Sequence, residues 1–191
     1  MSSHSTGFRI LILALLLMHN QSMAGPREEG LHAYKQGHYV EALTLWRPLA
    51  EQGDREVQYN LGIIYLEGRG VDKDTQQAHD WFLKAAQQDD ADAQHRLGKM
   101  YALGEGVTQD YQQAVRWFRQ SAENQQAAAQ YNLGVLYAQG LGLRQDHELA
   151  MRWYYRAAEQ GHVSAQYNLG HMHEHGMGVP RDLQEAFRWY D

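Results

Sequence analysis

Residues 129–161 read AQYNLGVLYAQGLGLRQDHELAMRWYYRAAEQG. The phrase Gln-Tyr-Asn-Leu-Gly that begins at Gln130 stands also at Gln58 and Gln166, and as Gln-His-Arg-Leu-Gly at Gln94, always 36 residues apart. Other positions keep the same step. Tyr65, Tyr101 and Tyr137 lie four after the leucines Leu61, Leu97 and Leu133. Gly68/Gly70, Gly104/Gly106, Gly140/Gly142 and Gly176/Gly178 form a Gly-x-Gly pair in each copy. Asp74, Asp110, Asp146 and Asp182 follow, and Trp81, Trp117, Trp153 and Trp189 come near the end. A fixed period of about 20–50 residues is the signature of a solenoid, in which each unit buries its apolar face only against its neighbours.

Each unit reads as two helices. Val57, Leu61, Ile64 and Tyr65 share one helical face, which Gln58 and Gly62 widen. A glycine inside a helix costs about 1 kcal/mol relative to alanine. Its return in every copy predicts a neighbouring helix too close for a Cβ. The Gly-x-Gly pair ends the first helix, because glycine accepts left-handed backbone. Asp74 is placed to cap the second helix, with Gln77 completing a capping box; Gln113 and Glu185 repeat that arrangement and Leu149 does not. The second helix buries Ala78, Trp81, Phe82 and Ala85. The expectation is an all-α, right-handed α-solenoid of stacked antiparallel helix pairs, with one opening pair over residues 25–54 and four 36-residue repeats over 55–90, 91–126, 127–162 and 163–191.

These residues resemble the Sel-one-like repeat (SLR), a 36-residue relative of the tetratricopeptide repeat, over about Val57 to Asp191. Gly30 to Asp54, GLHAYKQGHYVEALTLWRPLAEQGD, resembles a shorter tetratricopeptide-like opening pair. Some positions depart from the pattern. Asp89 and Gln125 stand where Gly53 and Gly161 close other second helices, His173 replaces the tyrosine, and Pro48 is expected to bend or break its helix. The last copy stops at Asp191, before the alanine pair matching Ala157 and Ala158. A natural end, a truncation and a partner covering the face are all open, and oligomerisation through the short last repeat is among the expectations.

Ahead of the repeats, Arg9 precedes the apolar run Ile10–Met18, and Ser22 and Ala24 form a small-x-small motif. That is the order of a signal peptide over residues 1–24, with a mature chain from Gly25. The run is too short for a bilayer core, which takes about 20 apolar residues. No cysteine occurs, so there is no lipid-attachment cysteine, disulfide or thiolate metal site. The expected address is periplasmic or secreted, with no membrane span after cleavage. A net charge of -6 gives no electrostatic reason to expect nucleic acid.

Catalytic chemistry has few carriers here. After residue 24 the only serines are Ser121 and Ser164, and neither has a nucleophile-elbow context. His171 and His175 lie at i, i+4 with Glu174 beside them, a spacing that can hold zinc, but without the His-Glu-x-x-His order. The resemblance implies an adaptor, since family members serve in envelope assembly, signalling regulation, secretion systems and host contact. Cysteine-rich members have been linked to β-lactam binding or hydrolysis, and their disulfide framework is absent here. The expectation is therefore a non-catalytic scaffold, without cofactor, that binds a protein or peptide on its concave first-helix face. Counting at about 100° per residue puts Tyr59, Ile63, Tyr131, Val135, Tyr167 and His171 on that arc. Packing of the tyrosines on the preceding first helix is the alternative. The alternative function is a β-lactam or cell-wall hydrolase, or a zinc-dependent activity at His171 and His175.

Overall fold

In the computed structural model, which describes residues 25–191, the apolar periodicity becomes ten helices and, among those residues, no strand. They are α1 (Pro26–Lys35), α2 (Tyr39–Glu51), α3 (Arg55–Glu67), α4 (Thr75–Ala86), α5 (Ala91–Leu103), α6 (Tyr111–Glu123), α7 (Ala127–Gln139), α8 (His147–Glu159), α9 (Val163–His175) and α10 (Leu183–Tyr190). Odd-numbered helices are the first of each pair and even-numbered ones the second. Every helix packs on the one before and after it, as in a solenoid. α5 also meets α7, first helix on first helix, and no two second helices pack as closely. These two first helices thus approach each other more closely than any two second helices do. The signal-peptide segment lies outside the described residues.

Polar side chains set the helix starts. Asp74, Asp110, Asp146 and Asp182 each accept a backbone N–H from the first turn of α4, α6, α8 and α10. Hydrogen bonds from Gln77 hold the Asp74 carboxyl below the usual carboxylate range. The reciprocal half of the expected capping box does not form. The Asp74 N–H donates to Tyr65 O at 2.9 Å, so the Gln77 side chain donates instead to the Asp74 carboxylate, also at 2.9 Å. The same backbone bond recurs from Asp110 to Tyr101, Asp146 to Tyr137 and Asp182 to His173. Each second helix is thereby tied to the last turn of its own first helix.

The helical glycines are explained by aromatic rings. A Cβ on Gly62 would lie 2.5 Å from the Phe82 ring, and Gly98, Gly134 and Gly170 face Phe118, Tyr154 and Tyr190 in the same way. The second glycine of each Gly-x-Gly abuts the preceding repeat: Gly106 meets Thr75 and Gly142 the Tyr111 backbone. The repeated glutamine has its own task. Gln58 is buried, donates to Ala50 O of α2 at 2.8 Å and accepts from Gln88 just after α4 at 2.8 Å. Gln94 and Gln130 make the same pair of bonds, to Ala86 and Asn124 and to Ala122 and Gln160. A buried amide left unpaired costs about 1–3 kcal/mol, so this glutamine fixes how three successive helices meet.

Two expectations at departures have different outcomes. Asp89 and Gln125 adopt φ of 61° and 63°, the left-handed backbone taken by Gly53 and Gly161 at the matching positions. Pro48, by contrast, does not break its helix: α2 runs through it to Glu51. It stands in the last turn, where the missing N–H removes one hydrogen bond and little helix remains to disturb.

Candidate functional site

The first-helix face is a strip formed by α1, α3, α5, α7 and α9, and its most regular feature is a row of rings. Tyr59 packs on Phe82 with centroids 5.7 Å apart, His95 on Phe118 at 5.7 Å, Tyr131 on Tyr154 at 5.7 Å and Tyr167 on Tyr190 at 5.6 Å. Each ring thus rests on the aromatic residue that covers the glycine of its own repeat. Among ring–ring contacts, each tyrosine meets the second helix of its own repeat. Tyr131 also stacks on His162, 4.6 Å away and tilted by 21°. Tyr59 and Tyr131 are half-buried, and Tyr167 is 59% exposed.

The neighbouring row runs through Ile63, Lys99, Val135 and His171. Ile63 is only 8% exposed and belongs to the core, so it presents little surface to a ligand. Lys99 is exposed, and Val135 and His171 are intermediate. A third row holds Asn60, Arg96, Asn132 and Asn168. Asn60 lines a cavity of about 210 Å³ between α1 and α3, together with Arg27, Leu31 and Trp46. Asn132 Nδ2 bonds His95 Nε2 at 2.9 Å, joining α7 to α5.

Electrostatics around His95 follow from this geometry. Burial, aided by Lys99 and Arg96, pushes its imidazole down to about 4. His162 caps α9 by accepting the Ala165 N–H on Nδ1 at 3.3 Å, a bond that only a neutral ring makes. Burial holds its pKa below the ordinary histidine value. The helical count puts His95 on the same arc as the tyrosines without singling it out, and His162 is not among the sequence candidates. His95 occupies a tyrosine position and His162 an aspartate-cap position, and that exchange is the signal that marks them.

The catalytic alternatives gain little from the geometry. Ser121 is fully buried and its Oγ donates to Ala91 O at 2.6 Å, which leaves no path for a substrate. The His171 and His175 rings stack 4.2 Å apart, with His175 Nδ1 bonded to His171 O at 3.0 Å. Among the described residues no group of three His, Cys, Asp or Glu side chains is placed to hold a metal. His173 fills the tyrosine position, with both ring nitrogens shielded and unpartnered among the described residues. The tyrosines there bond a preceding second helix: Tyr65 OH meets Arg47, Tyr101 OH meets His79 and Tyr137 OH meets Arg119.

Comparisons with known proteins agree with this architecture. A family model described as Sel1 repeat matches residues 55–90, 91–125, 127–162 and 163–191. A solved Sel1 repeat protein from Oxalobacter formigenes is similar, with 35% identity over 86% of this chain and 68% of that one, and a TM-score of 0.81. A protective antigen present in uropathogenic Escherichia coli strains, displaying an SLR fold, is 36% identical with a TM-score of 0.84. That match covers 92% of this chain and 39% of the antigen, so the chain spans about two fifths of its length. Cysteine rich protein B of Helicobacter pylori, 17% identical over 66% of this chain and 90% of that one with a TM-score of 0.52, shares the fold alone. No curated protein sequence matches the chain.

Proposed function

The chain belongs to the Sel1 repeat family, and from that premise we propose that it is a non-catalytic scaffold of the cell envelope, binding a protein or peptide along its first-helix face. Sel1 repeat proteins are generally interaction scaffolds. The observation that carries the reading here is the row Tyr59, His95, Tyr131 and Tyr167, each ring braced from behind by an aromatic residue. A braced tyrosine gives broad contact area at small entropic cost and keeps a polar tip for the ligand. Val135 and His171 extend the surface on the same side, and Ile63 supports it from the floor.

Export belongs to the same proposal. No helix of the described residues is long and apolar enough to cross a membrane, and cleavage before Gly25 would release the array. Self-association through the last repeat is a further part of it, since Leu183 and Phe187 are 55% and 67% exposed on α10.

The test is capture of envelope proteins by crosslinking, with wild type and the Tyr59→Ala/Tyr131→Ala/Tyr167→Ala variant side by side. A specific partner held by the wild type and lost from a folded variant supports the groove. Equal capture by both moves the binding surface elsewhere. Sequencing the exported protein from Gly25 tests the address, and light scattering of wild type against L183E/F187E tests self-association.

A further inference from the structure

We propose that the groove takes an extended acidic peptide whose side-chain carboxylate seats on Arg96 and Lys99 of α5. The inference rests on the groove reading and adds a chemical class to it. Its basis is a charge audit of the first-helix side. Arg27 is paired with Asp54 and Glu56, Arg55 with Asp90, Arg69 with Glu67, and Lys73 with Glu105. Arg96 and Lys99, on the middle of the five first helices, have neither an ion pair nor a hydrogen bond among the described residues. The carboxylate one turn before Arg96, Asp92, accepts the Gln126 amide at 3.3 Å. Burial above all, and then Lys99 and Arg96 against an opposing Asp92, disfavour protonation of His95, so the imidazole adds no competing charge.

On a chain of net charge -6, Lys35 at the end of α1 is also without an ion pair and Asp92 stands one turn before Arg96, but Arg96 and Lys99 are the one pair of neighbouring cations on a first helix that form neither ion pair nor hydrogen bond among the described residues. Like charges one helical turn apart repel, and a carboxylate between them removes the repulsion while accepting charge-assisted hydrogen bonds. The groove continues on both sides of the pair, toward Asn60 and toward Asn132. A carboxylate at its middle is therefore best supplied by a side chain of a passing segment, not by a chain end. The position of Lys99 is held by Ile63 one repeat before and by Val135 one repeat after. Packed helices lie about 8–10 Å apart and an extended chain advances about 3.3 Å per residue. The matching ligand carries an acidic residue with an apolar residue about three positions away, on the side that meets Val135, since Ile63 is buried and offers it little contact.

A displayed library of random dodecapeptides, panned on wild type and on R96E/K99E, tests this. The expected result is that wild type enriches sequences of that pattern and the double variant loses them or selects Lys and Arg. A synthetic peptide from the wild-type pool should lose about tenfold or more in affinity when its central Glu becomes Gln, and comparably with R96Q/K99Q, whose fold is checked by circular dichroism. Non-acidic winners that R96E/K99E still binds, but the triple tyrosine variant does not, would overturn the inference and leave the groove. No enrichment by wild type at all would overturn both.

Discussion

Gly98→Ala tests the packing argument that generates the repeat. In a free helix alanine would stabilise by about 1 kcal/mol. Here the new Cβ would lie 2.5, 2.6 and 2.9 Å from Cδ1, Cε1 and Cγ of Phe118. Ordinary contact begins near 3.4 Å. Because Cγ is among the atoms met, turning the ring about its own axis does not relieve the clash; the whole side chain has to shift by nearly 1 Å. Phe118 is 2% exposed and also packs on His95, so it has little room. Overpacking of this kind costs about 1–3 kcal/mol. With the propensity gain subtracted, the expected net loss is about 0–2 kcal/mol, centred near 1, or a fall in melting temperature of about 2–4 °C at that centre for a chain of this size. The assay is thermal and urea unfolding by circular dichroism of wild type, G98A, F118L and the double variant. Leucine lacks the outer ring atoms and can turn its methyls aside, so Gly98→Ala should become neutral or stabilising in the F118L background, a coupling of about 1–2 kcal/mol. A stabilising Gly98→Ala in the wild type, or additive effects of the two changes, would refute the close-approach argument.

Other outcomes follow from backbone and titration. Gln125→Gly should raise stability by about 1 kcal/mol, since a left-handed φ strains any residue with a Cβ, and Asp89→Gly should give less because aspartate tolerates that region better; melting temperatures check both. His95 and His162 both have pKa values depressed by folding, so the unfolded chain takes up protons first. The stability they confer is complete above about pH 6.5 and is lost as pH falls, for His95 toward about 4, at up to about 1.4 kcal/mol per pH unit for each group. His95→Tyr should flatten that slope in urea titrations run between those limits. His162→Asp restores the cap used by other repeats and should stabilise by roughly 1 kcal/mol more at pH 5 than at pH 8, because aspartate keeps accepting the Ala165 N–H where a protonated imidazole does not.

What could be read from the sequence is what recurs, because a solenoid repeats an interface and an interface constrains the same positions each time. The glycine at Gly62, Gly98, Gly134 and Gly170 announced a close approach, and the ring that makes it lies at a fixed distance along the same repeat. The left-handed turns at Asp89 and Gln125 were likewise visible as exchanges with Gly53 and Gly161. The groove was less legible, because a helical wheel gives angles within one helix and not the rotation of that helix against the next. Ile63 and Val135 are equivalent on the wheel, yet Ile63 joins the core and Val135 stays half-open. The capping box failed for a related reason: its donor, the Asp74 N–H, is taken by a carbonyl nine residues earlier, a contact that exists only after the two helices fold back on each other. The same reasoning separates structure from function on the first-helix face. Residues that return in every repeat serve the stack, as Gln58 and Gly62 do. Arg96 and Lys99 break the pattern of their rows, form no ion pair or hydrogen bond with the stack among the described residues, and lie where the proposed ligand would cross it. In an array built by repetition, the unpaired exceptions on the first-helix face are the positions left free to specify a partner.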